Sequence, residues 1–218
     1  MALEHTKWGI LFCPKGSSAN TRKYRSRLED MLKTNNVEYD LVQSESESSV
    51  ERLVKMFIDN SYKTIVIVGG DSALNDAVNC LMDCPSELRD TISLGVIPNG
   101  VLNDFSKFWG LKEGDVSFSI QTLLGHRVRK IDLGCMHYAD KEGEGHKRYF
   151  INCINIGLIA DMMNLRRQTR SLLGSRTLSF LVSALLLIFH RMEYKMRLKI
   201  NGDLIDRKVM NVCIGSGP

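Results

Sequence analysis

The sequence has no apolar run long enough to cross a bilayer, no Cys-x-x-Cys pair, no histidines at ligand spacing and little net charge. Each absence excludes something. The longest apolar stretch, Leu178 to Phe189, has twelve residues, whereas a spanning helix needs about 20. The six cysteines, at 13, 80, 84, 135, 153 and 213, lie mostly in apolar strands or helices. They read as buried thiols in a reducing cytosol, not as a disulfide framework or a zinc site. Cys80 and Cys84 fall one helical turn apart, but no histidine lies close to them in sequence. A formal charge of +4, with lysine and arginine dispersed apart from Arg166, Arg167, Arg170 and Arg176, is too small to argue for nucleic acid. Met1 to Lys7 is polar and leads straight into a strand, unlike a signal peptide, so a cytoplasmic location is expected. What is present is an ordinary globular composition, 44% apolar over 218 residues, enough to bury a core in one large or two small domains.

Alternating segments dominate the first half. Trp8 to Cys13 predicts a strand and Thr21 to Thr34 a helix with Tyr24, Leu28, Met31 and Leu32 on one face. Val37 to Gln43 predicts a strand, and Ser48 with Glu51 a capping box opening a helix that turns Leu53, Val54 and Phe57 inward. Such alternation predicts a parallel sheet with helices on both faces over residues 1–125. From Arg127 the pattern changes to successive short strands, a charged loop from Asp140 to Lys147 and a strong hairpin turn at Asn201-Gly202. Residues 126–218 are therefore expected to form a second, mainly β domain, an incomplete sandwich carrying one apolar helix.

Thr64 to Leu81 is the most informative stretch: a β-branched strand breaks at Gly69-Gly70-Asp71 and at once becomes a helix. Backbone N–H groups at such a corner, with the helix dipole behind them, form a seat for phosphate. Asp71 adds a negative charge there, which suits a divalent cation or a proton transfer better than static anion binding. Taken alone, the corner is equally an ordinary tight turn. A second element, Leu94 to Trp109, repeats the design through Pro98, Asn99, Gly100 and Asn103-Asp104. Two parallel strands ending in such corners converge on one crevice, where open α/β sheets bind ligands.

The pair GGDxxxNDxVN and IPxGxxNDF resembles the catalytic domain of the diacylglycerol kinase superfamily, which also contains the sphingosine and ceramide kinases. Lys130-Ile131-Asp132-Leu133-Gly134 is similar to the stretch that opens that family's second domain. Arg148 to Asp161, the apolar helix from Leu178 and the hairpin Met196 to Val212 follow in the family's order. The resemblance implies transfer of the γ-phosphoryl group of ATP to a lipid hydroxyl, assisted by Mg²⁺, in a cleft between the domains. It implies Asp71 as base or metal-linked acid, Gly69, Gly70, Ser72 and Gly100 as backbone contacts to phosphate, and Asn103 as the residue fixing the second corner. Asp104 and Asp132 would hold Mg²⁺ through water. Asp76 replaces a family glutamate and reaches the nucleotide or stabilises its helix N-terminus; Lys15 approaches phosphate or is a solvated turn lysine.

Departures fall on the phosphate-handling residues. The family's G-G-D-G-T is Gly69-Gly70-Asp71-Ser72-Ala73, its G-T-G-N-D is Gly100-Val101-Leu102-Asn103-Asp104, and its N-P-x-S-G turn is Cys13-Pro14-Lys15-Gly16-Ser17. If the backbone at Ser72 or Leu102 is left-handed, a side chain there costs about 1–2 kcal/mol. Relatives also carry a D-G-x-L-D segment beyond the stretch where this sequence stops. The expectation is a lipid kinase with activity weakened or lost, or a non-catalytic nucleotide- or lipid-binding relative. An NAD kinase shares the Gly-Gly-Asp corner, but IPxGxxNDF and K-I-D-L-G argue against it. The four arginines could meet anionic headgroups, and Leu178 to Phe189 reads as a buried core helix, with lipid contact or a homodimer face as alternatives. Peripheral contact with a membrane surface fits a lipid acceptor.

Overall fold

Four short apolar strands form the parallel sheet that organises the first half of the chain. The computed structural model describes residues 7–14, 18–46, 48–100, 102–173 and 193–215. The elements alternate: β1 (Trp8–Phe12), α1 (Ser18–Thr34), β2 (Tyr39–Gln43), α2 (Ser49–Asp59), β3 (Thr64–Gly69), α3 (Asp71–Met82), the single turn α4 (Ser86–Arg89), β4 (Ser93–Pro98), α5 (Asp104–Phe108) and α6 (Val116–Leu124). The strand order is β2-β1-β3-β4, with all neighbours parallel.

Side-chain alternation along the strands sends residues to two separate cores. Ile65 and Ile67 of β3 and Leu11 of β1 pack with Val54 and Phe57 of α2 and Leu74 and Val78 of α3. Val66, Val68, Ile10 and Phe12 pack on the other face with Leu28 and Leu32 of α1 and Ile120 of α6. Because both faces are covered, the central strands β1 and β3 are almost continuously apolar, with β1 buried at all five positions, whereas edge strand β2 carries Asp40 and Gln43 and is only partly buried. The α/β layout expected from the alternation is therefore present, followed by a β-rich region.

Locally there are differences. Ser48 makes no cap for α2: it lies in helical conformation (φ −70°, ψ −12°), and its Oγ meets Ser46 Oγ at 2.8 Å. Ser49 Oγ accepts the N–H groups of Glu45 and Ser46 instead. Of the loop expected over Asp140 to Lys147, residues 140–144 form the turn and residues 145–147 are strand, since β5 (Gly134–Ala139) pairs with β6 (Gly145–Phe150) in an antiparallel hairpin whose turn Asp140 organises. Cys13, Cys80 and Cys84 are half-buried, but Cys135, Cys153 and Cys213 are exposed on short two-stranded ribbons, so the expectation of buried thiols fails for the latter three.

The chain forms two compact units, Met1–Asn152 and Cys153–Pro218. The β5–β6 hairpin thus belongs to the first, although the change of pattern falls near residue 126. The second unit contains β7 (Cys153–Gly157), α7 (Leu158–Leu173), β8 (Tyr194–Ile200), β9 (Asp203–Val209) and β10 (Asn211–Gly215). β10 pairs antiparallel with β7, and β8 with β9 across Asn201 (φ 51°) and Gly202 (φ 98°), the two left-handed residues that a type I′ turn requires. Asn211 Oδ1 accepts the N–H of Ile159 and so caps α7, and the Tyr194 hydroxyl donates to the Asp161 carboxylate. Lys15, Gly16, Ser17, Val101, Arg176 and the helix expected over Leu178 to Phe189 lie outside the described residues, as do the side chains of Arg166, Arg167 and Arg170.

Candidate active site at the carboxyl edge of the sheet

Three strand ends meet at the carboxyl edge of the sheet. The N–H of Cys13, after β1, donates to Val68 O, the N–H of Asn99, after β4, donates to Gly69 O, and Asn99 Nδ2 reaches Cys13 O at 3.1 Å. The two corners then touch glycine to glycine. A Cβ on Gly70 would lie 2.9 Å from Gly100 Cα, and one on Gly100 would lie 2.4 Å from Gly70 Cα and 2.6 Å from Asn103 Oδ1. Close approach, not backbone sign, is what requires these glycines, since Gly70 has φ −101° and ψ −177°.

Asn103 fixes the second corner, as the sequence suggests. Its side chain is almost fully buried, Oδ1 accepts the Gly100 N–H at 2.8 Å, and Nδ2 donates to Gly100 O at 3.1 Å and approaches Glu113 Oε2 at 3.5 Å. Its own backbone is left-handed (φ 54°, ψ 42°), a conformation asparagine tolerates because its short polar side chain can bond locally. Neither Ser72 nor Leu102 has positive φ. The conditional strain penalty at those two positions therefore does not apply, and both side chains are exposed.

Asp71 joins the corners. Its Oδ2 accepts the Asp104 N–H at 2.8 Å and its Oδ1 accepts the Phe105 N–H at 3.1 Å. The carboxylate thus satisfies two orphan donors of α5 and places a negative charge at the positive end of that turn. The first turn of α3 differs, because glycine is its N-cap and no side chain caps it. Beside the two corners the N-terminus of α3 is thus left without a side-chain cap among the described residues, whereas the Gly100 N–H is taken by Asn103. Asp104 is exposed, with Lys107 Nζ 3.7 Å away. Asp132 is exposed on the stretch between α6 and β5.

Asp76 points elsewhere, to an ion pair with Arg148 of β6, whose other terminal nitrogen lies 3.7 Å from Glu51. Two residues that motif reasoning left without a role act beside it. Asn79 accepts the Tyr149 N–H at 2.9 Å and donates to Tyr149 O at 2.9 Å; Asn75 accepts the Ile151 N–H and donates to Tyr149 O, both at 3.2 Å. One helix face thus serves β6 as a partner strand would. The signal was the i, i+4 spacing of two asparagines beside the buried Val78. Elsewhere, Asp140, Glu144 and His146 are the one group among the described residues with metal-ligand proximity. Asp140 already accepts the N–H groups of Glu142 and Glu144 and meets His146 Nε2 at 2.8 Å. That geometry is a hairpin end. The His146 bond and the backbone donors hold the Asp140 carboxyl below the usual carboxylate range, and burial pushes the Cys80 thiol up to about 11.

Residues 7–136 match the family model of the diacylglycerol kinase catalytic domain. The chain belongs to that family. It is 25% identical over 150 residues to a diacylglycerol kinase of Bacillus subtilis, covering 68% of this chain and 45% of that enzyme. It is 32% identical over 95 residues to a diacylglycerol kinase of Staphylococcus epidermidis, covering 44% of this chain and 26% of that one. A crystal structure of a Bacillus anthracis diacylglycerol kinase superposes with a TM-score of 0.64 at 16% identity, covering 97% of this chain and 64% of that chain. The likeness to that structure establishes the diacylglycerol-kinase fold. The chain spans at most about half the length of the curated relatives it matches.

Proposed function

We propose that this member of the diacylglycerol kinase family transfers the γ-phosphoryl group of ATP to a lipid hydroxyl. The observation that carries the reading is the meeting of Gly69-Gly70-Asp71 and Asn99-Gly100 at the sheet's carboxyl edge, beside a helix whose first turn no side chain caps. Helix dipole and free backbone donors favour a phosphate at that end, and Gly69, Gly70 and Ser72 surround it. Asp104, exposed next to this corner, and Asp132 would hold Mg²⁺ through water, which suits an ion that keeps several of its own waters. Bound Mg²⁺ would neutralise charge developing on the transferred group. Gly100 and Asn103 contribute by fixing the second corner, and Asp76 by holding β6 through Arg148. The acceptor class, a lipid alcohol such as diacylglycerol, follows from the family.

One observation favours a second reading. Both oxygens of Asp71 are engaged by backbone N–H groups, which a non-catalytic relative would retain as a purely architectural cap. As a general base Asp71 would use a remaining lone pair, since each carboxylate oxygen has two. Phosphoryl transfer from labelled ATP to diacylglycerol in mixed micelles separates the readings. The kinase reading expects labelled phosphatidate that disappears in the Asp71→Asn variant; no product with diacylglycerol or other lipid alcohols leaves the binding reading.

A further inference from the structure

Exposed apolar side chains of the first unit gather where α5 meets the stretch after α6. Phe108 is 57% exposed, Trp109 38% and Leu102 61%, and across from them Val128 is 70% and Ile131 38% exposed. The two stretches are in contact: the Arg129 guanidinium carbon lies 5.5 Å from the Trp109 ring centroid, and the Phe108 ring stands edge-on to Trp109 at 5.0 Å. Around these rings, residues 102–112 and 126–131 carry Lys107, Lys112, Arg127, Arg129 and Lys130 against one carboxylate, Asp104, which lies 3.7 Å from Lys107 Nζ. All five cations are exposed.

From this we infer that the α5 edge is a docking surface for an anionic membrane, with Phe108 and Trp109 entering the headgroup layer and the five cations meeting lipid phosphates. The inference rests on the lipid-kinase reading for its purpose, since it supplies the way the acceptor is met, but the physics is independent of turnover. Tryptophan with its amphipathic ring favours the headgroup level. Each lysine or arginine near an anionic surface adds to the attraction, so the charges attract and the rings anchor. Five cations against one carboxylate give this surface a positive excess that complements lipid phosphate, and the rings beside them suit the headgroup layer. The placement also has a functional logic. α5 begins at Asp104, which Asp71 caps, so this edge is covalently continuous with the candidate phosphate site.

The sequence provides its own probe. Of the two tryptophans, Trp8 is buried at 3% exposure, so a vesicle-dependent change in tryptophan emission reports Trp109. The 218-residue chain, without ATP or diacylglycerol, is mixed with vesicles of phosphatidylglycerol and phosphatidylcholine or of phosphatidylcholine alone. Expected are a blue shift and quenching by brominated acyl chains with the anionic vesicles only, weakened by salt. Phe108→Ser with Trp109→Ser, and separately Arg127→Glu with Lys130→Glu, should each lower co-sedimentation at least tenfold while leaving ATP affinity unchanged. Equal binding by these variants, no binding to anionic vesicles, or Trp109 shielding by a concentration-dependent dimer in the absence of lipid overturns the inference. A chain that binds vesicles yet phosphorylates no lipid overturns the kinase reading alone.

Discussion

Asp71 serves an element 33 residues away in sequence. Replacing it with alanine strips the acceptor from two N–H groups of α5, at a cost of about 1 kcal/mol, the low end of the range because the site is only partly buried. In a chain of this size that lowers the melting temperature by about 2–4 °C, measurable by calorimetry; an unchanged melt would show that the cap contributes nothing. Gly100→Ala is expected to be worse, about 1–3 kcal/mol, because the new methyl meets the Gly70 backbone, which cannot rotate away. Chemical denaturation should place its midpoint below that of Gly95→Ala, whose intruding contact is the flexible end of Leu123. The glycine pair and the acids were legible in the sequence because residue type at a strand-to-helix corner reflects local chemistry. What Asp71 bonds was not, since the direction of a carboxylate depends on where a distant turn packs. The same holds for Ser72 and Leu102, where a departure from the family pattern suggested strain that the backbone avoids by placing the left-handed residue at Asn103.

Helix α3 carries two functions on two sides. Its N-terminus forms part of the candidate site, and its Asn75–Asn79 face holds β6. Asn79→Leu removes the acceptor for the Tyr149 N–H and is expected to cost about 1–3 kcal/mol. The β5–β6 hairpin should then be cut by protease well before the parallel sheet; simultaneous cleavage would deny the helix this role. At the far end of that hairpin, the amide proton shifts of Glu142 and Glu144 should titrate together with a midpoint below the ordinary aspartate value near 3.9, because both donate to Asp140. Since the folded value is depressed, the contribution of Asp140 is present above the unfolded pKa and lost as pH falls through the folded one. A midpoint at or above 3.9 contradicts this. The β/α alternation was readable because burial of both sheet faces makes the central strands β1 and β3 nearly apolar throughout. That residues 145–147 belong to a strand was not, because strand pairing between polar, exposed residues leaves no apolar pattern.

At the scale of the molecule, the family match over residues 7–136 and the TM-score of 0.64 account for the architecture. The departures from the family's loop sequences raise the question of activity. The described geometry narrows it: the second corner is closed by Asn103 and Asp71, while the first turn of α3 beside it has no side-chain cap and would be the seat for a nucleotide phosphate. On the proposed function, phosphate affinity is expected to depend on Gly69, Gly70 and Ser72 more than on the 100–104 loop. Ser72→Gly should change ATP affinity less than threefold, because no left-handed strain is relieved. Titration of the chain with ATP, with and without Mg²⁺, by calorimetry tests the central claim most directly. Binding that requires Mg²⁺ and is abolished by Gly70→Val in a still-folded protein is the predicted result. Absence of heat at millimolar ATP, in protein whose α5 cap and hairpin are intact, would contradict it.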